Sequence, residues 1–147
     1  MQYIDYCPRP NQRDQDIDNI ITSFFDEINA GLSALGVDSQ LSAKGEMLQM
    51  VKEAGFQKAE ERTWMIPIGQ WPKEKHFKVL GAACQVLLSD AAAYLARTPL
   101  VRGLGKTEAY VQERVTEFRQ GLNSQRLLQE CPLVLPFRVV YGQKPDF

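Results

Sequence analysis

The 147-residue sequence predicts an α/β domain in which a small mixed three-stranded sheet carries about four helices. Three observations carry that expectation. Short segments rich in β-branched and aromatic residues sit at the start, middle and end of the chain. Between them, apolar residues recur at helical spacing in four stretches. Glycine and proline punctuate the boundaries. The whole of 1–147 reads as a single domain, long enough to bury a core without staples.

Taken in order, Gln2 to Tyr6 is β-prone and stops at Pro8 and Pro10, as a strand does. Asp14 is a candidate cap for a first helix. Its stripe is Ile17, Ile20, Ile21, Phe24, Phe25, Ile28, Leu32 and Leu35, and Gly36 closes it. A second helix is expected from about Ser42 to Ala54, with Met47, Leu48, Val51 and Ala54 inward and Gly55 ending it. A strand follows from about Ala59 to Ile66.

Pro67, Gly69 and Pro72 then break the chain before a third helix that begins near Lys73 or Glu74. From Phe77 to Leu95 this helix carries one charge, Asp90, and many small residues, among them Gly81, Ala82 and Ala83. Gln85, Ser89 and Asp90 interrupt the apolar run, so burial in the core or against a second subunit is expected rather than a membrane span. Thr107 caps a fourth helix with Val111, Val115, Phe118 and Leu122 inward. Leu133 to Gly142 makes the last strand despite Pro136. Three strands are few for a sheet that must carry this many helices.

Hydrophobic residues make up 44% and charged residues 24%, and the formal charge is −1. That balance is ordinary for a soluble domain and offers no electrostatic reason for nucleic acid or an anionic membrane. Cys7, Cys84 and Cys131 are far apart and odd in number, with no metal-ligand spacing, so free thiols in a reducing cytoplasm are expected. The opening MQYIDYCPRP lacks the apolar run of a signal peptide and enters an extended segment at once, as though Met1 began midway through an older fold.

One histidine, His76, rules out schemes that need two, and no Ser-His-Asp arrangement can be placed. A solvated imidazole at a helix start is the plain reading; a general acid or base beside a pocket is the functional one. Trp64, Met65, Trp71, Phe77, Tyr94, Phe137 and Tyr141 supply apolar and aromatic surface, most of it expected in the core. With Tyr6, His76, Lys78, Asp90, Tyr94 and Arg138 as polar groups, such surface suits a lipophilic small molecule. His76, Lys78 and Tyr94 are the candidate catalytic residues; Tyr6, Trp64, Trp71, Phe77, Asp90, Arg138 and Tyr141 are the candidate substrate contacts.

Four motifs stand in a recognisable order. Ala54-Gly55-Phe56 comes first, then Pro67, Gly69, Trp71 and Pro72, then Lys78 and Gly81, and last Val140, Tyr141, Gly142, Lys144 and Pro145. This order resembles the carboxyl-terminal part of fungal TAM-domain (LaeA-like) S-adenosylmethionine-dependent methyltransferases, and YIDYCPRP is similar to their fifth strand and its turn. Gln143 stands where that family usually has arginine. The resemblance implies the substrate-side half of a class I methyltransferase fold, with the segment around Trp71 covering an acceptor. The family's cofactor sits over a glycine-rich strand-to-helix turn. No such turn occurs in this sequence; Gly103-Leu104-Gly105 follows Pro99 and Arg102 rather than a strand.

No cofactor and no metal are therefore expected, and methyl transfer by the chain alone is not. An unpaired edge at Gln2–Tyr6 and uncovered helix faces call for a cover, by a homodimer or by a separate methyltransferase polypeptide. The preferred expectation is a cofactor-independent cyclase or isomerase of fungal secondary metabolism, pericyclase-like, cytoplasmic and homodimeric. Methyltransferase-like folds as a group have been reused for such cyclisations, which is analogy. The alternative is a non-catalytic or complementing subunit of a separate methyltransferase.

Overall fold

The computed structural model describes residues 15–39, 45–124 and 133–145. In chain order these form α1 (Gln15–Ala34), α2 (Glu46–Glu53), β1 (Gln57–Ile68), α3 (Lys75–Thr98), a π-helical turn (Pro99–Gly103), α4 (Glu108–Leu122) and β2 (Leu133–Gln143). The architecture is mixed α/β. Among the described residues the sheet has two strands, paired antiparallel with Trp64 opposite Phe137 and Ile68 opposite Leu133. The expected first strand, Gln2–Tyr6, lies outside the described residues, as do Asp14 and Tyr6.

Local chemistry sets the helix ends. Gly36 at φ 78° and Gly55 at φ 86° take the left-handed conformation after α1 and α2. Beyond each, the chain folds back in the same pattern. The Val37 amide donates to the Leu32 carbonyl at 2.9 Å, and the Phe56 amide donates to the Val51 carbonyl at 3.3 Å. Thr107 Oγ1 accepts from the Tyr110 amide at 3.1 Å and so caps α4, as the sequence predicts.

The core lies between α1, α3, α4 and one end of the sheet. Phe24 stacks on Phe118 with centroids 4.1 Å apart, and Phe25 meets the same ring edge-on. Ile68 and Leu133, opposite one another at the strand ends, are fully buried beneath the helices. Arg114 ties the helices together: its Nε lies 3.0 Å from Glu27 Oε1, and its Nη2 donates to Ser23 Oγ at 2.9 Å. Tyr110 donates to the other oxygen of Glu27 at 3.0 Å.

Three expectations are corrected here. In α2 no residue is buried: Leu48 and Val51 are half-covered by the sheet, but Met47 and Ala54 are exposed, because only β1 and β2 lie against so short a helix. Leu35 is exposed because α1 ends one residue before it. In α3 only a stripe is buried: Gly81, Cys84, Leu88, Ala92 and Ala96. The opposite face, with Val79, Val86, Leu87 and Tyr94, is open. Gln85 and Ser89, which interrupt the apolar run, serve α4. Gln85 Nε2 donates to the Leu122 carbonyl at 2.8 Å, and the Ser89 carbonyl accepts from Arg119 Nε at 2.9 Å. The run Lys75–Gly103 is long and apolar enough to cross a membrane by length and composition, with a mean hydropathy of 1.5 in its most apolar window. One stripe of it packs on β1, α4 and α1, and 28% of that window is buried.

Candidate functional site

Pro67 at the end of β1, Gly69 and Pro72 in the loop and Gly81 in α3 shape a corner. Gly69 takes φ 91°, which favours glycine. Its amide donates to the Gly81 carbonyl at 2.9 Å. A Cβ at Gly81 would lie 1.9 Å from the Gly69 oxygen, so α3 can approach the loop only with glycine there. Pro67 and Pro72 are buried on either side. Trp71 is pinned across the corner, its indole donating to the Leu133 carbonyl at 3.1 Å.

This corner walls a cavity of about 290 Å³. Met65 and Pro67 enter it from alternate positions of β1, Val134 from β2, Trp71 and Pro72 from the loop, and Phe77 from the first turn of α3. Lys73 and Glu74 stand at its rim, both exposed. His76 lies just outside, its Nε2 3.4 Å from Glu74 Oε2 and its ring 4.1 Å from that of Phe77.

Of the residues singled out from sequence, Trp71 and Phe77 line this cavity. His76 joins its rim through Glu74. Lys78 is exposed on α3. Asp90 and Tyr94 also lie on α3, Tyr94 about 25 Å along the axis from Phe77 at 1.5 Å per residue. Trp64 and Tyr141 are on the other face of the sheet: Trp64 sits 6.5 Å from Phe137, and Tyr141 donates to Glu60 under Arg62. That hydrogen bond, more than burial, raises the Tyr141 hydroxyl above its ordinary range. Arg138 is half-buried, four residues along β2 from Val134 on the same face.

The three candidate catalytic residues therefore do not converge on one point. Sequence reasoning did not assign Met65, Pro67, Pro72, Lys73, Glu74 or Val134 to the site. Strand alternation carried a signal for Met65, Pro67 and Val134, which share one face once the register is known. Among the described residues no group of His, Cys, Asp and Glu is arranged to hold a metal ion.

The resembled enzymes hold S-adenosylmethionine over a glycine-rich strand-to-helix turn. Here α3 and the π-helical turn, not a strand, lead into Gly103 and Gly105. Gly103 closes that turn and is spent on packing, since a Cβ there would lie 2.2 Å from the Gly31 oxygen of α1, whereas Gly105 takes φ 67° in open space.

The chain is 26% identical over 132 residues to protein-methionine methyltransferase laeA of Chaetomium globosum, covering 87% of this chain and 40% of that protein. It is 26% identical over 99 residues to methyltransferase pytC of Aspergillus terreus, covering 67% of this chain and 29% of that one. The relationship is methyltransferase-like and extends over most of the chain, which spans less than half the length of these curated relatives. No family model and no solved structure matches.

Proposed function

We propose that this chain binds a lipophilic small molecule in the Trp71–Phe77 cavity and, on a methyltransferase-related scaffold, promotes its cyclisation or isomerisation without a cofactor. The cavity itself carries the reading. Its walls are apolar and aromatic, it has about ten waters' worth of volume, and its charged groups stand only at the rim. Such a site works by holding a flexible polyene or terpenoid folded for reaction, so orientation replaces acid–base chemistry. Lys73, or His76 swinging from Glu74, is placed to polarise a carbonyl at the mouth. A cytoplasmic place in fungal secondary metabolism belongs to the same proposal.

A second reading has its own observation. The 26% identity to a protein-methionine methyltransferase over 132 residues fits a chain that supplies the acceptor side of a methyltransferase acting with a separate cofactor-binding part. One experiment separates the two. The purified chain is incubated with linear polyene and terpenoid probes, with and without S-adenosylmethionine. A product isobaric with its substrate, formed equally without the cofactor, supports the first reading. A methylated product, or turnover that needs the cofactor, overturns it in favour of the second.

A further inference from the structure

The open face of α3 is an apolar surface left uncovered by the described residues. Val79 is 64% exposed, Val86 60%, Leu87 66% and Tyr94 87%, with Leu80 partly open beside them. Together these five side chains show on the order of 600 Å², at the upper end for a typical monomer's largest patch and near one side of a standard interface.

The pattern on this face is heptad-like. His76, Ala83 and Asp90 recur every seven residues along its centre, flanked by Val79 and Val86 on one side and Leu80 and Leu87 on the other. Two copies of such a face pack antiparallel around a two-fold axis, and charge selects the register. Pairing Ala83 with the partner's Asp90 sets His76 against the partner's Arg97, a cation already held by Glu108 of its own chain, so this register gains no ion pair. Centring the axis on Asp90 sets two carboxylates together. Centring it on Ala83 instead places Val79 against the partner's Leu87, Leu80 against the partner's Val86, and His76 against the partner's Asp90 at both ends. The small side chain at the axis lets the helices approach closely.

We infer that α3 forms a homodimer in this Ala83-centred register. No rearrangement is needed for it, since the face already lies on one continuous 24-residue helix. The same register brings the partner's Tyr94 level with Pro72 and Lys73, at the mouth of the cavity. Each protomer then closes the other's pocket. That last step rests on the cavity being the binding site; the dimer itself does not.

Sedimentation velocity of the full chain at micromolar concentration reads the dimer directly. Ala83→Glu is expected to leave only monomer. His76→Glu and Asp90→Lys each raise the dissociation constant about tenfold, and the double variant, with the charges exchanged, returns to within about threefold of the original. Circular dichroism checks that each variant is folded. A monomer at all concentrations, a dimer indifferent to Ala83→Glu, or a chain soluble only with detergent or with another polypeptide overturns the proposal.

Farnesol, titrated against Trp71 emission in a Trp64→Phe background, reads the pocket separately. Tyr94→Ala is expected to weaken farnesol binding at least about threefold while the dimer persists. Unchanged binding in a persisting dimer overturns the shared pocket and leaves the interface standing. No farnesol binding in any variant overturns the pocket reading alone.

Discussion

Gly69 and Gly81 touch backbone to backbone, the amide of one donating to the carbonyl of the other at 2.9 Å. Nothing larger than hydrogen fits at Gly81, because its would-be Cβ falls 1.9 Å from a main-chain oxygen that cannot swing aside. Gly81→Ala is expected to cost about 3 kcal/mol or more, since α3 must lift off the loop. Urea unfolding measures it. A cost below about 1 kcal/mol would mean that the helix shifts freely and the corner is soft.

Trp71 is held by one hydrogen bond to the Leu133 carbonyl. Trp71→Phe keeps an aromatic wall but leaves that carbonyl without its donor, at an expected cost of about 1–2 kcal/mol. Farnesol affinity should fall with it, as the ring loses its anchor. Equal stability with unchanged affinity would show that the indole N–H positions nothing.

Glu27 and Arg114 form the ion pair between α1 and α4, and Arg114 is largely buried. Glu27→Gln leaves Arg114 its second carboxylate partner, Glu117, whereas Arg114→Met leaves the partly exposed Glu27 carboxylate with the Tyr110 hydroxyl. Glu27→Gln is expected to cost about 1 kcal/mol and Arg114→Met about 2–3 kcal/mol. The double variant should cost about 1–2 kcal/mol less than their sum, which a double-mutant cycle on chemical denaturation tests. Strict additivity would mean that the pair contributes no coupling.

Burial, and next the hydrogen bond to Glu27, raises the Tyr110 hydroxyl above its ordinary 10.0. A group whose folded pKa is raised holds its proton more tightly in the native state. Its stabilisation is therefore complete below pH 10.0 and is lost as pH climbs through the raised value. Wild-type stability should fall more steeply than that of Tyr110→Phe above about pH 10, by less than the full cost of the lost hydrogen bond because the hydroxyl is partly solvated. Parallel alkaline profiles would remove Tyr110 from the account.

The glycines, prolines and helix caps were the most legible part of this sequence. Gly36, Gly55 and Thr107 act where local chemistry places them, and the helical stripes of α1 and α4 follow their periodicity. The glycines of the motifs that carried the resemblance serve close packing at Gly81 and Gly142. Gly142 meets Val51 and Phe56, so the last strand docks on the turn after α2, just as Gly69 docks on Gly81. What could not be read was direction. An apolar helix such as α3 gives no hint from composition of which side faces the core, because Val79 and Leu88 are chemically alike. Spacing along α3 does place Tyr94 a helix-length from Phe77, but nothing in it reveals that Val134, far off in sequence, lines the same cavity as Phe77.

Cys84 lies in the buried stripe of α3, 8% exposed, and burial pushes its thiol above the ordinary 9.0. A thiol so placed reacts only when the helix lifts away from its neighbours. In a chain whose Cys7 and Cys131 are replaced by serine, its rate of modification becomes a clock for that opening. The clock samples the buried stripe of α3 close to where helix, loop and sheet meet, so it times the breathing of the molecule rather than its unfolding.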